Sequence, residues 1–279
     1  MRKLVVGAAQ MRHPTMDPGE ALPDSAEPRI EEASALVETA SGLGCDFLCL
    51  PELFADPTQG TRMADFAEEI GGPATGWLSR TAKERNMALA GTVTLRQGGR
   101  LTNTGVFYDK HGELAGTYGK VHLPPGEREA SQPGDAFPVF EVEGVKVGMQ
   151  ICYDLNFPEG CRILALKGAE MVFWPNMWGG MPEDHTDVLM RARAMENLVF
   201  LVSSGFYLST GRSFRDPKLY SRTCVVDWGG QVLAEVGRRT GVCAAVLDFD
   251  EPRGIQLERG TTFLGHRRPE VYGEIAGKE

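Results

Sequence analysis

Histidine clusters and close cysteine pairs are both missing from the sequence. Its five histidines are scattered over 279 residues, and its six cysteines contain no C-x-x-C pair, the spacing that zinc sites favour. The cysteines are Cys45, Cys49, Cys152, Cys161, Cys224 and Cys243. We therefore expect no metal or other cofactor, and six free thiols in a reducing compartment.

An excess of basic charge and a long apolar run are missing as well. Lys and Arg number 29 against 38 Asp and Glu, for a formal net charge of −9. Nucleic acids and anionic membranes bind basic surfaces, so neither is an expected partner. No apolar stretch reaches the ~18 residues of a membrane span, and Arg12 ends the first apolar run too early for a secretory signal. The sequence therefore predicts a cytoplasmic protein.

Repeats, low-complexity segments and long linkers are absent from the sequence, and 42% of the residues are hydrophobic. A chain of this length can bury roughly three quarters of its unfolded surface, so it needs no disulfide or structural metal. We therefore predict a single domain over residues 1–279, with a surface loop at residues 15–28.

Alternating apolar segments predict a mixed α/β fold. Helices are predicted at residues 29–40, 75–86, 158–166 and 186–198. Strands are predicted at residues 4–9, 47–50, 87–95, 103–108, 113–118, 145–151, 171–174, 200–203 and 242–249, with a hairpin at 223–236. A purely parallel sheet would not contain so many hairpins. The pattern therefore predicts an α/β sandwich of mixed or antiparallel sheets with helices outside.

Cys152 stands where a predicted strand ends, in the stretch VGMQICYDLNFPEG. The polar turn after it leads to a predicted helix at residues 158–166, which is the strand–turn–helix order of a nucleophile elbow. Such a turn exposes the side chain and places N–H groups nearby, which favours a thiolate and can bind an oxyanion. The alternative is that Cys152 is a buried core thiol at a strand end.

A cysteine nucleophile also needs a base, and histidine is the usual one. His122 is the only histidine beside a promising motif, and His185 at a helix start stays open, so a papain-like pair has weak support. Glu52 in LCLPELF directly follows an apolar strand, where a partly desolvated carboxylate suits a general acid or base. The alternative for Glu52 is an ordinary surface position.

Lys120 in YGKVHLPPGERE lies among apolar and glycine residues after a predicted strand. An ammonium group in such a place can stabilise an oxyanion, whereas the usual state of a lysine is full solvation. Glu52, Lys120 and Cys152 each stand just past a predicted strand. Because sites commonly assemble in loops at strand ends, we expect the three to converge.

In three ordered stretches the sequence resembles the nitrilase superfamily of carbon–nitrogen hydrolases: PELF at Glu52, GKVHLPPGE at Lys120 and CYDLNFPE at Cys152. The segments PGDAFPVF, RARAMEN and RRPEVYG are also similar, so the resemblance covers nearly the whole chain. It implies a Glu–Lys–Cys triad and an αββα sandwich of two mixed β-sheets flanked by helices, formed when two subunits pack. It also implies a homodimer or larger homo-oligomer, with the tail from about residue 260 in an interface.

The resemblance also implies the chemistry. Cys152 attacks the carbon of a small amide, Glu52 takes the thiol proton and returns it to the leaving nitrogen, and Lys120 stabilises the oxyanion. The N–H of Tyr153 assists Lys120. A thioester remains when ammonia or an amine leaves, and a water activated by Glu52 releases the acid. A second glutamate, matched best by Glu127, would orient Lys120 and the substrate nitrogen.

Several points stay open in this comparison. Glu129 is the alternative second glutamate. Nitriles and N-carbamoyl amides are alternative substrates, and a non-catalytic metabolite-binding protein is an alternative function. Several relatives carry an arginine shortly after the cysteine, where it can pair with a substrate carboxylate. This chain has Leu155 and Asn156 there, which favours a neutral or weakly polar amide over an acidic one.

Four residues near the three motifs are candidates for shaping the substrate pocket. They are Tyr153, Asn176, Trp178 and Phe54. Core or interface packing is the alternative for Trp178.

Overall fold

The architecture comes from a computed structural model that describes residues 2–13, 24–56, 58, 60, 62–177, 183–207, 221–251 and 262–277. Within these ranges the helices α1 to α5 span Glu27–Gly42, Pro73–Arg85, Pro125–Arg128, Pro158–Leu166 and Glu183–Asn197. Strands β1 to β6 span Lys3–Arg12, Phe47–Cys49, Ala88–Gln97, Arg100–Tyr108, Leu114–Gly119 and Phe140–Val142. Strands β7 to β12 span Val145–Met149, Met171–Pro175, Phe200–Tyr207, Cys224–Val226, Val232–Glu235 and Gly241–Asp248.

The predicted helices and strands are present, with ends that differ by a few residues. Helix α4 occupies the predicted range, and the predicted hairpin at 223–236 is β10 and β11. Two short elements, α3 and β6, were not predicted, because three or four residues are too few to show a period.

The described strands form two mixed sheets. The first has the order β5-β4-β3-β2-β1-β12 and the second β6-β7-β8-β9-β10-β11. Each has three parallel strands at its centre, β1 to β3 or β7 to β9, flanked by antiparallel partners. The sheets join where Gln10–Arg12 of β1 pair in parallel with Gly205–Tyr207 of β9. The predicted mixed sandwich is confirmed.

The two sheets pack face to face through apolar side chains. The ring of Phe173 on β8 lies 5.8 Å from Phe107 on β4 and 6.3 Å from Phe47 on β2. Position 105 on β4 requires glycine, because a Cβ there would overlap the Met149 side chain on β7. The sequence of β1 is nearly continuously apolar because the strand is covered on both faces of its sheet.

Helices cover the outer face of each sheet. Leu36 of α1 and Leu78 of α2 are buried in a cluster with the first sheet, and Met190 of α5 is buried in a cluster with the second. All four layers therefore belong to one chain, and the expectation that two subunits must pack to form them is wrong. In the part of the chain that the structure describes, no helix is both long and apolar enough to cross a membrane.

Candidate active site

The carboxyl ends of strands from both sheets meet at one edge of the sandwich. Glu52 follows β2, Lys120 follows β5, Cys152 follows β7 and Met177 follows β8. Strand β5 runs in the same direction as β3, because each is antiparallel to β4. This is the edge at which α/β sheets commonly bind ligands.

Cys152 occupies a sharp turn between β7 and a 3-10 turn at Cys152–Asn156. Its φ of 46° is left-handed, a conformation that costs a residue other than glycine about 1–3 kcal/mol. The indole of Trp174 donates a hydrogen bond to the Cys152 carbonyl at 2.9 Å. The predicted elbow is therefore present, and its strained backbone is held by contacts around it.

Asp154 ties this elbow to the loop that carries Lys120. Its fully buried carboxylate accepts hydrogen bonds from Ile151 N (2.9 Å), Tyr118 OH (2.7 Å) and His122 N (2.9 Å). The His122 Nδ1 lies 2.8 Å from the same carboxylate, and the ring stacks on Phe157 at 3.8 Å. His122 therefore supports the loop from outside the reacting cluster, as the weak Cys–His pattern suggested.

Lys120 is the centre of a buried cluster of charges. Its Nζ lies 2.8 Å from Glu52 Oε1 and 2.6 Å from Glu127 Oε2. The Lys120 and Glu52 side chains are each only 2% exposed. Glu129, the alternative second glutamate, is exposed to solvent, so the geometry favours Glu127.

Two further donors complete the cluster. The Asn103 amide donates to Glu52 Oε1 at 2.8 Å and to Glu127 Oε1 at 3.0 Å. The backbone N–H of Met177 donates to Glu52 Oε2 at 2.8 Å. Neither residue was predicted, because Asn103 lies inside a strand and Met177 acts through its backbone. The sequence did contain one indication of Asn103. It is a polar residue on the same face of β4 as Gly105 and Phe107, which face the other sheet.

Electrostatics keep the resting thiol neutral. Burial raises the pKa of the Cys152 thiol well above its usual value. The charge of Glu52 and the hydrogen bond that the thiol donates to the Glu52 carboxylate raise this pKa further, whereas Lys120 and the Met177 N–H lower it. Burial alone would lower the pKa of Lys120, but the charges of Glu52 and Glu127 and the hydrogen bond to Glu127 outweigh burial and raise that pKa. Lys120 is therefore held as an ammonium group against the thiol.

Glu127 is less firmly ionised than an exposed carboxylate. Burial raises its pKa, while the Lys120 charge and the hydrogen bonds from Lys120 and Asn103 lower it only in part. The Glu52 charge raises the same pKa further.

A cavity of about 360 Å³ opens onto this cluster. Its described lining is Glu52, Leu53, Gly60, Met63, Asn103, Lys120, Pro124, Gly126, Glu127, Cys152 and Met177. Apart from the polar cluster the walls are apolar or glycine. Across the described ranges, no group of three His, Cys, Asp or Glu side chains is arranged to hold a metal ion.

Phe54 and Asn176 lie outside the described lining of this cavity. Phe54 is fully buried against Trp77, with ring centroids 5.7 Å apart. Asn176 is fully buried and donates to the carbonyls of Trp174 and Ser204. Neither is among the described residues that line the cavity, and their part in shaping a substrate pocket stays a prediction. A position past a strand end does not reveal which face a side chain takes.

Of the two remaining predicted pocket residues, Tyr153 and Trp178, the structure describes only Tyr153. The half-buried Tyr153 ring packs edge-on to Phe157 at 5.5 Å. Its backbone N–H lies in the first turn of the 3-10 segment, whose leading N–H groups have no acceptor within the turn. Trp178 lies outside the described residues.

Comparison with known proteins points to the same chemistry. The carbon–nitrogen hydrolase family model matches residues 5–255. The omega-amidase NIT2 of Mus musculus is 32% identical over 260 residues, 87% of this chain and 90% of that protein. The 2-oxoglutaramate amidase of Bacillus subtilis strain 168 is 34% identical over 225 residues, 80% of this chain and 85% of that protein.

A solved structure is similar over almost the whole chain. An amidase from Nesterenkonia sp. AN1, with acrylamide joined by Michael addition to its active-site cysteine, is 26% identical with a TM-score of 0.79. The match covers 98% of this chain and 99% of that one. A further mutant of that amidase, described as from the nitrilase superfamily, matches with the same TM-score of 0.79. The chain therefore belongs to the carbon–nitrogen hydrolase family.

Proposed function

We propose that this amidase-type carbon–nitrogen hydrolase cleaves the C–N bond of a small linear amide through a thioester on Cys152. The observation that carries the proposal is the buried Glu52–Lys120–Glu127 cluster, which lines the same cavity as the thiol. The cluster supplies a base, a fixed positive charge and an orienting carboxylate at the point where a cysteine could attack.

The first half of the reaction begins with a neutral thiol. Glu52 Oε1 already accepts hydrogen bonds from Lys120 and Asn103, so Oε2, which accepts one from Met177 N–H, has the lone pair for the thiol proton. As the proton moves to Glu52, the sulfur forms a bond to the amide carbon and the carbonyl π electrons move to oxygen. Proton transfer during attack removes the need for a stable free thiolate.

The tetrahedral oxyanion then has two stabilising groups. These are the Lys120 ammonium and the N–H of Tyr153 in the first turn of the 3-10 segment. Glu52 returns its proton to the nitrogen, the C–N bond breaks, and ammonia or an amine leaves a thioester on Cys152. Glu52 next takes a proton from water, whose oxygen attacks the thioester, and the acid leaves as the thiol regains that proton. Glu127 holds Lys120 in place throughout and faces the substrate nitrogen.

The walls of the cavity favour a small neutral or weakly polar amide. Leu53, Met63 and Pro124 are apolar, and Lys120 already contacts two carboxylates. Positions 155 and 156 add no cation: Leu155 is fully buried, and the Asn156 side chain donates to the Tyr153 carbonyl. Among the described lining residues, a substrate carboxylate would therefore meet only the Lys120 cation, which already pairs with Glu52 and Glu127.

A second candidate is the amide of an α-keto acid. The observation in its favour is the 34% identity with a 2-oxoglutaramate amidase. The two candidates differ in the carboxylate that the substrate carries, which makes them separable by kinetics.

We expect ammonia release from butyramide with a higher kcat/KM than from 2-oxoglutaramate. Cys152→Ala should abolish release from both, while Cys243→Ala, at another cysteine outside the cavity, should retain it. Mass spectrometry of rapidly quenched enzyme should show an acyl group on Cys152. A kcat/KM higher for 2-oxoglutaramate would reject the neutral substrate, and turnover by Cys152→Ala would reject the nucleophile.

We also propose that the chain acts as one domain, assembles as a homo-oligomer and works in the cytoplasm. Apolar side chains remain exposed on α4, on α5 and in the C-terminal tail, including Leu166 (51% exposed), Val188 (63%) and Ile275 (65%). These surfaces are the expected interface. The six unpaired cysteines suit a reducing compartment.

A further inference from the structure

Asn103 makes contacts that connect both carboxylates of the cluster. One amide nitrogen, Nδ2, lies 2.8 Å from Glu52 Oε1 and 3.0 Å from Glu127 Oε1. The residue is 1% exposed and lies on β4, where the rigid first sheet fixes its position. Since Nδ2 carries two hydrogens, each carboxylate can receive one of them.

The neighbouring groups determine the orientation of this amide. If the amide were flipped, Oδ1 would face two carboxylate oxygens and each contact would be repulsive. In the observed orientation Oδ1 is buried, and within the described residues no donor lies in hydrogen-bonding distance of it. An unpartnered buried acceptor costs about 1–3 kcal/mol, so optimal stability does not explain an asparagine here.

We propose that Asn103 is a positioning residue that holds Glu52 and Glu127 apart and directs both carboxylates toward Lys120 during turnover. This inference rests on the proposed function and deepens it. Without the amide bridge, two buried carboxylates would share a single ammonium group as their fixed side-chain donor. Their mutual repulsion would then be relieved by rotation of one carboxylate or by uptake of a proton.

The role proposed for Asn103 can be measured through the ionisation of Glu127. The titratable groups of the described residues that face Glu127 are Lys120 after β5 and Glu52 after β2, and Cys152 after β7 lines the same cavity. The Asn103 hydrogen bond lowers the pKa of Glu127, against burial and the Glu52 charge. Loss of that hydrogen bond therefore raises the pKa of Glu127 further, so that activity requiring ionised Glu127 is lost at a higher pH on acidification.

The test compares Asn103→Leu, nearly the same size without donors, with Asn103→Ser, which keeps one donor. Thr104→Val is the matched control, since Thr104 is buried on the same strand but bonds Thr102 on the opposite face. With butyramide and 2-oxoglutaramate as probes, we expect Asn103→Leu to lower kcat about tenfold to a hundredfold with little change in KM. Asn103→Ser should be intermediate, and Thr104→Val close to wild type.

The pH profile separates positioning from a structural role. The acid limb of kcat/KM should move to higher pH in Asn103→Leu and less in Asn103→Ser. An unshifted acid limb in both variants, or a loss of kcat that only follows a loss of Tm, would overturn the inference. Wild-type enzyme inactive on both amides would instead reject the proposed function, so the two failures are distinguishable.

Discussion

Cys152 differs from the other cysteines in its charged neighbours and in its exposure, because it is half-buried whereas the other five are buried. Burial also raises the pKa of Cys45 to about 11, and that of Cys161 and of Cys243 to about 12. Among the six cysteines, all of which the structure describes, only Cys152 lines the cavity together with Glu52 and Lys120. Its reactivity therefore depends on a base that removes the proton during attack, since the resting pKa is raised.

Glu52 raises the pKa of the Cys152 thiol and Lys120 lowers it, which predicts how Glu52→Gln changes activity and thiol reactivity. Ammonia release should fall by about 10²–10⁴-fold, because the base is lost. Reaction of Cys152 with methyl methanethiosulfonate should show a lower pH midpoint, because the Glu52 charge that raises the thiol pKa is gone while Lys120 remains. The rate of sulfur modification against pH, followed by mass spectrometry, measures this midpoint.

Lys120→Met is the matched variant for that experiment. Removing the ammonium group should raise the pH midpoint of thiol modification, because Lys120 lowers the Cys152 pKa. Midpoints that move in the same direction in both variants would contradict the electrostatic account of the site.

At the scale of elements, the 3-10 turn at Cys152–Asn156 is fixed from two sides. Asp154 connects it to the loop after β5. Arg193 of α5, 6% exposed, donates from Nε to the Leu155 carbonyl at 3.2 Å. The elbow therefore keeps its left-handed cysteine only while the neighbouring loop and helix remain in place.

Asp154→Asn should loosen this elbow. An amide nitrogen would face N–H and O–H donors, leaving buried groups unpaired at a cost of about 2–3 kcal/mol. We expect Tm to fall by roughly 4–12 °C for a domain of this size, and ammonia release at 25 °C to fall at least tenfold. Calorimetry and steady-state kinetics measure the two effects.

Asp109→Asn is the control, since the Asp109 carboxylate accepts backbone N–H bonds in the exposed β4–β5 turn. A loss of Tm in Asp154→Asn no larger than in this control would remove the proposed role of Asp154 as a support of the elbow.

The elements show what the sequence could and could not predict. Glu52, Lys120 and Cys152 were predicted to converge because each stands just past the end of a predicted strand, and all three line one cavity in the structure. Asn103 was not predicted because it lies within a strand. Met177 was not predicted because any residue type could supply its backbone N–H. Phe54 was predicted to shape the pocket from its position alone, but position in the chain does not determine the face that a side chain takes, and the Phe54 ring packs against Trp77.

At the scale of the whole molecule, one exposed apolar residue offers a test of assembly. Leu166 at the end of α4 is 51% exposed, and a charge at an apolar interface is costly to bury. Leu166→Glu should shift the particle toward the 30.4 kDa mass of one chain. Light scattering after size-exclusion chromatography measures that mass.

Leu114→Glu is the control for assembly, because Leu114 is 39% exposed at the start of β5, outside the proposed interface. A wild-type protein that elutes as a single chain would reject the homo-oligomer, and equal dissociation by both variants would reject α4 as its contact surface.

The fold class was predictable because alternation of helices, strands and hairpins determines the layers that a chain can form. The pairing of β1 with β9 was not, since contacts between strands far apart in sequence leave no local pattern.

The face-to-face packing of the sheets has a consequence for catalysis. Lys120 and Glu52 extend from one sheet and Cys152 from the other, and Gly105 against Met149 and Gly116 against Phe140 fix how far either sheet can slide. A translation of about 1 Å along that plane would change the separation of sulfur and ammonium while leaving every strand intact, a misplacement that can cost a hundredfold in rate. The alignment of the reacting groups therefore depends on two glycines outside the described cavity lining, where a larger residue would push the sheets apart.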